Sequence, residues 1–344
     1  MGFIDIKKSI NIKKRIKKLI SAAVSFVIAA GCFGLIACGE NKSDSLSIVC
    51  TIFPEYDWVS EILGDKKDSA ELSFILDGGV DLHSYRPTAQ DLAEIYTSDL
   101  FIYVGGESDE WVDSALKNAP DKNLKTINLL QVLGDKAKIE QDFGGESEDH
   151  DHGDGGHDHE EDHEGELDEH VWLSLKNTQI FCDKIAAELC ALDPENATVY
   201  KNNLASYKNK LAALDERYSE FVKTARFDTL VFGDRFPFSY LAGDYNINCF
   251  AAFSGCSAES EASFEKIVFL ASKIDELNLP AVCKTENVKQ KIAEQVKENT
   301  KSKNQKIVSF DSLQSTSADD VKNGKTYLSA MEKNLDSLMQ ALGE

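Results

Sequence analysis

The chain holds seven histidines in 344 residues, and their placement is the first chemical signal. Five of them, His150, His152, His157, His159 and His163, fall within residues 146–166, a stretch of only Glu, Asp, His, Gly and Ser. Neutral imidazole suits borderline divalent cations, and the surrounding carboxylates favour any cation that approaches. A stretch without apolar residues cannot bury a core, so disorder is expected across a loop spanning 144–168. Lacking fixed geometry, these histidines suit an accessory metal collector better than a selective site.

The other two histidines carry more information. His83 follows the turn-like run Asp77-Gly78-Gly79-Val80-Asp81 and precedes Ser84-Tyr85-Arg86-Pro87. His170 lies in Asp168-Glu169-His170-Val171-Trp172, just ahead of a helical pattern. A lone histidine is more often a hydrogen-bonded structural residue. Two that flank a histidine-rich loop, with no others in the chain, read instead as metal ligands. Both stand where a loop meets a helix, the place where ligands gather in open α/β sheets. Asp81, Glu169, Glu259, Glu261 and Glu286 could approach the same cleft, although most are expected to be solvated or capping residues.

The elements that would position these residues alternate. Ser47–Phe53, Leu72–Ile75, Leu100–Val104, Thr229–Phe232, Ala281–Cys283 and Lys306–Phe310 are apolar runs of strand length. Helical patterns lie between them at Glu61–Leu63, Thr88–Tyr96 and Ser263–Leu277. Such alternation predicts an α/β protein of parallel sheets flanked by helices. It occurs twice, so two lobes are expected, an N-terminal one over 47–193 and a C-terminal one over 226–344. Residues 194–225 join them as one long rigid linking helix, with Leu204, Tyr207, Leu211, Leu214, Tyr218 and Phe221 on its apolar stripe. Trp58, Trp111 and Trp172 are expected in the core or the cleft wall.

The N-terminus reads as an address. Residues 1–37 carry seven basic side chains and one acidic one, followed by an uncharged stretch from Leu19 to Ala37. This is the order of a secretory signal. Leu35-Ile36-Ala37-Cys38 resembles a bacterial lipobox, which implies lipidation at Cys38 and a flexible tether over 38–46. An uncleaved anchor is the alternative. Either way the bulk of the chain sits outside the cytoplasm, lipid-anchored to the outer face of the cell membrane under the first reading. That bulk has 30 basic against 58 acidic residues, a net charge of −28, which argues against nucleic acid as a partner. Among the cysteines, Cys182 and Cys190 are eight apart on one expected helix and too distant to bridge. Cys256 could pair with Cys283 or Cys249, with buried free thiols as the alternative. No CxxC pair exists, so a thiolate zinc site is not expected.

Several motifs together resemble one family. His83–Pro87 (HSYRP) is similar to the HSYxP motif of the cluster A-I solute-binding proteins of zinc and manganese ABC importers. Leu167–Asn177 (LDEHVWLSLKN) resembles their DPHxWLxPxN motif, Ser98–Tyr103 their ADLFIY strand, and the helix from Asn196 their lobe-linking helix. The resemblance runs from about Ser47 to the C-terminus. It implies that His83 and His170 are first-lobe ligands of a metal held between the lobes. It also implies capture of Zn2+, with Mn2+ the alternative, and delivery by a monomer to an ABC permease in the cytoplasmic membrane. The histidine-rich loop favours zinc. In the second lobe the family supplies a His or Glu before an FxYF-like helix and an Asp near the final strand. Here Phe232–Tyr240 reads FGDRFPFSY, which puts Arg235 at the first position, and a guanidinium cannot coordinate. Asp234, one residue earlier, is the favoured ligand. In the alternative, Arg235 pairs with a site carboxylate and the ion keeps a water. Asp311 stands at the aspartate position.

An enzyme is the rival class. The chain has no HExxH helix, GxSxG elbow or phosphate-binding glycine loop, so binding is expected and not catalysis. A surface storage or adhesin protein built on the loop is the third reading.

Overall fold

In a computed structural model, residues 45–120, 124–141, 143, 165–257, 261–286 and 290–343 are described. Residues 1–37, read above as a signal, Cys38, His150, His152, His157, His159, His163 and Glu259 lie outside them.

Strands β1 (Ser47–Cys50), β2 (Glu71–Phe74), β3 (Leu100–Tyr103) and β4 (Lys125–Asn128) form a wholly parallel sheet in the order β2-β1-β3-β4. A second parallel sheet repeats that order with β5 (Thr229–Phe236), β6 (Asn248–Ser254), β7 (Ala281–Thr285) and β8 (Lys306–Phe310), arranged β6-β5-β7-β8. In each sheet the chain starts in the interior, steps outward on one side, then crosses to the other. This leaves a crevice at the carboxyl ends of β1 and β3, and of β5 and β7, where doubly wound sheets bind ligands.

Helices α1 (Phe53–Leu63), α2 (Ala89–Thr97), α3 (Glu110–Asn118), α4 (Leu129–Leu133) and α5 (Leu175–Leu192) connect or cover the first sheet. The second has α7 (Ser239–Tyr245), α8 (Phe264–Leu277), α9 (Lys291–Asn299), α10 (Ala318–Lys322) and α11 (Tyr327–Leu342), and α6 (Ala197–Thr224) runs between the two sets. Because both faces are covered, successive strand residues serve different cores. Ile48, Leu100, Ile102, Leu230 and Phe232 enter one large cluster, while Val49, Phe101 and Val231 enter two outer ones.

The 28-residue α6 is about 42 Å long at 1.5 Å per residue. Tyr200, Tyr207, Leu211, Leu214, Tyr218 and Phe221 are buried along it, and Leu204 is half-buried. Its first half meets the first sheet's helices, where Asn203 Nδ2 donates to the Ile62 carbonyl at 3.0 Å. Its second half meets the other set, where Tyr218 Oη donates to the Met331 carbonyl at 2.6 Å. A second tie crosses at α11. Tyr327 N donates to Asp57 Oδ2 at 3.0 Å and its hydroxyl to the Trp172 carbonyl at 2.7 Å, while Trp172 Nε1 donates to the Ser312 carbonyl at 2.9 Å. The large cluster therefore includes side chains from both sheets.

Several expectations need correction. The Ser47–Phe53 run stops as a strand at Cys50, because Phe53-Pro54 opens α1 with proline in its first turn. β5 runs on to Phe236 through a register shift between Phe232 and Arg235. β4 and β6 were not anticipated. Residues 165–168, expected within the disordered loop, are tied down. Glu140 N donates to the Glu166 carbonyl and Asp168 N to the Lys138 carbonyl, each at 2.8 Å. The cysteines described are all unbridged, including Cys249, Cys256 and Cys283.

Candidate metal centre

Two short turns set the site, and both use one device. Asp81 caps the 3-10 turn Leu82–Ser84, and its Oδ1 accepts from His83 N at 3.1 Å and from His83 Nδ1 at 2.8 Å. Asp168 precedes the turn Val171–Leu173, and its Oδ1 accepts from His170 N at 2.9 Å and from His170 Nδ1 at 2.8 Å. In each Asp-x-His unit the carboxylate orients the ring and holds the proton on Nδ1, leaving the Nε2 lone pair free. Both Nε2 atoms are buried without a hydrogen-bond partner. The ring centroids are 5.2 Å apart. Burial pushes Asp81 upward, but the His83 contacts and the Arg235 guanidinium outweigh it and hold the carboxyl below its usual range. Asp168 is likewise lowered, with its His170 contacts overcoming burial.

The second sheet reaches this pair through the loop after β6. The ligand atoms of His83, His170 and Cys256 all lie within 4.8 Å of one another. Cys256 N donates to Glu140 Oε1 at 2.7 Å, which ties the loop to the first sheet's side of the cleft. Gly255 lies against the imidazole, where an added Cβ would stand 2.8 Å from His170 Cε1 and 3.0 Å from the Phe236 carbonyl oxygen. Glu169 is almost fully buried, not solvated as expected. Its Oε1 accepts from Ser108 N at 2.8 Å, and its Oε2 has no hydrogen-bond partner and lies 3.8 Å from His83 Nε2. Gly106, at φ +81°, makes room for it, because a Cβ there would meet Glu169 Oε1 at 2.4 Å.

The second-lobe carboxylates proposed from sequence are engaged elsewhere. Asp234 lines the cleft, but its Oδ2 accepts from Thr285 N at 3.2 Å and from the Thr285 hydroxyl. Asp311 forms an ion pair with Lys325 at 2.7 Å and accepts from Leu313 N at 2.9 Å. Neither joins the His83–His170–Cys256 group. Arg235 Nη2 lies 2.9 Å from Asp81 Oδ2. The cleft has a volume of about 1060 Å³. Glu107, Glu110, Glu140 and Glu166 also line it, giving a mouth that favours cations.

Asp168 and Cys256 were not singled out as site residues from sequence, and Asp81 was named only among acids that could approach the cleft. The Asp-x-His spacing, repeated at both histidines, was the available signal for the two aspartates. Nothing in the spacing linked Cys256 to histidines far away in the chain.

Known proteins bear on this geometry. The sequence model of the family described as "Zinc-uptake complex component A periplasmic" matches residues 48–341. The zinc-binding lipoprotein AdcA of Streptococcus pneumoniae is 32% identical over 324 residues, which cover 92% of this chain and 60% of that protein. The chain thus spans less than two thirds of that relative's length. The high-affinity zinc uptake system protein ZnuA of Bacillus subtilis is 29% identical over 326 residues, covering 92% and 96% respectively. Among solved structures, the Zn(II)-bound ZnuA-like domain of S. pneumoniae AdcA is 28% identical with a TM-score of 0.67, covering 87% of this chain and all of that one. The metal-dependent lipoprotein YcdH of B. subtilis gives 25% and 0.70 at the same coverage.

Proposed function

This chain belongs to the zinc-uptake complex component A family, and on that premise we propose that it captures a divalent transition-metal ion, Zn2+, between its two sheets and delivers it to an ABC import permease in the cytoplasmic membrane. In this reading the protein is a monomer lipidated at Cys38 and held on the outer face of that membrane. It binds its cargo reversibly and does no covalent chemistry on it.

The observation that carries the reading is the pair of buried, unpartnered Nε2 atoms of His83 and His170, each backed by its own aspartate. Leaving two such acceptors without a partner costs free energy, and a cation between them would repay it. The relatives' printed roles, zinc binding and zinc uptake, agree with this. His150, His152, His157, His159 and His163 are assigned the accessory role of weak metal collectors.

Calorimetric titration of the full chain with zinc tests the proposal. One tight site should vanish in the His83→Ala, His170→Ala double variant and leave only weak binding. Tight binding that survives in that variant would refute the cleft as the capture site.

A further inference from the structure

We propose that Cys256 is the third protein ligand, its thiolate completing with His83 and His170 a two-nitrogen, one-sulfur set that selects zinc over manganese. This deepens the reading above and rests on it, because it assigns a ligand within the same cleft.

Three lone-pair atoms from distant parts of the chain converge here. The Cys256 sulfur and one ring nitrogen of each imidazole lie within 4.8 Å of one another. Tetrahedral coordination with Zn–N of ~2.0–2.1 Å and Zn–S of ~2.3 Å needs separations of ~3.3–3.6 Å. Shifts of about an ångström would therefore close the group around an ion. The imidazoles present unpartnered Nε2 atoms, one of them on a wholly buried side chain. The β6 loop is held where it can supply the sulfur, with Gly255 against the His170 ring and Cys256 N on Glu140. The thiol is not spent in a disulfide.

The second sheet's other candidates pair within the protein, Asp234 with Thr285, Asp311 with Lys325 and Arg235 with Asp81; the Cys256 thiol itself donates to Glu140, a bond that coordination would replace. On coordination the thiol gives its proton to water and its sulfur electron pair to the ion. Thiolate is a soft donor that favours zinc, whereas manganese prefers oxygen ligands.

Cobalt(II) reports the donor directly. The full chain loaded with one equivalent should show a near-ultraviolet thiolate-to-cobalt charge-transfer band together with tetrahedral ligand-field bands. Cys256→Ser should lose the first and keep cobalt bound. Its zinc affinity should fall by about 100-fold or more, beyond the ~10–100-fold effect of an outer-sphere partner, while manganese affinity stays within about twofold. A readout without any variant is alkylation of Cys256 by iodoacetamide, located by peptide mass spectrometry, which one equivalent of zinc should block. Cobalt bound in the cleft with no charge-transfer band, and alkylation unchanged by zinc, would overturn the thiolate while leaving the histidine site standing. Cobalt binding indifferent to the His83→Ala, His170→Ala pair would overturn both.

Discussion

Arg235 reaches Asp81 across the cleft, Nη2 to Oδ2 at 2.9 Å, on the carboxylate whose other oxygen holds His83 Nδ1 at 2.8 Å. One aspartate therefore orients the His83 ring and also ties the two sheets together. That dual load makes Asp81 the most informative outer residue of the site. Asp81→Asn should weaken zinc binding by about 10- to 100-fold, and Asp168→Asn by a similar factor, with the apo fold retained. Competition against a chromophoric chelator measures both. Unchanged affinities would mean that neither aspartate orients a ligand.

Gly255 gives a steric test. A Cβ there would stand 2.8 Å from His170 Cε1 and 3.0 Å from the Phe236 carbonyl oxygen, and neither neighbour can simply rotate away. Gly255→Ala should cost about 1–3 kcal/mol of stability, as overpacking does. It should also displace the His170 ring and weaken zinc binding. Denaturation of the apo protein and zinc competition, run in parallel, separate these effects.

Much of this site was legible in the sequence, for a physical reason. Histidine is rare, so two isolated ones beside a histidine-rich loop stood out, and the structure brings both together. The partners of the aspartates were not legible, because a carboxylate's neighbours come from distant parts of the chain. Asp234 meets Thr285 and Asp311 meets Lys325, pairings that no local pattern encodes. Cys256 was weighed as half of a disulfide because its proximity to His170 arises only when β6 pairs beside β5. Strand β4 (KTIN) is too short and polar to register as an apolar run, and β6 (NCFAAFS) mixes alanine with serine and asparagine.

Buried acids in the first lobe predict a pH dependence of stability. Burial pushes Glu55 up to about 8, with Asp109's charge adding to it; burial and then Glu169's charge take Asp109 to about 7; burial dominates at Asp57, also about 7. These acids bind protons more tightly when the chain is folded. Their contribution is present below the ordinary carboxylate range and is lost as pH rises through about 7 to 8. Denaturant midpoints of the apo protein should fall from about pH 4 to about pH 8, and Glu55→Gln should flatten the slope. A midpoint that rises with pH there would contradict the assignment.

Tyr327 ties the C-terminal helix to the first lobe through a buried hydroxyl that donates to the Trp172 carbonyl and pairs with Thr178 Oγ1 at 2.8 Å. Tyr327→Phe should cost about 1–3 kcal/mol by leaving those groups unsatisfied. Urea denaturation measures it, and a loss under ~0.5 kcal/mol would show the tie to be energetically idle.

The central claim is that the ion lies between His83 and His170. Anomalous diffraction at the zinc edge from zinc-loaded crystals of the full chain tests it directly. The account predicts one strong peak within about 2.0–2.1 Å of both Nε2 atoms. A zinc peak elsewhere, with those nitrogens bound only to water or protein, would contradict it.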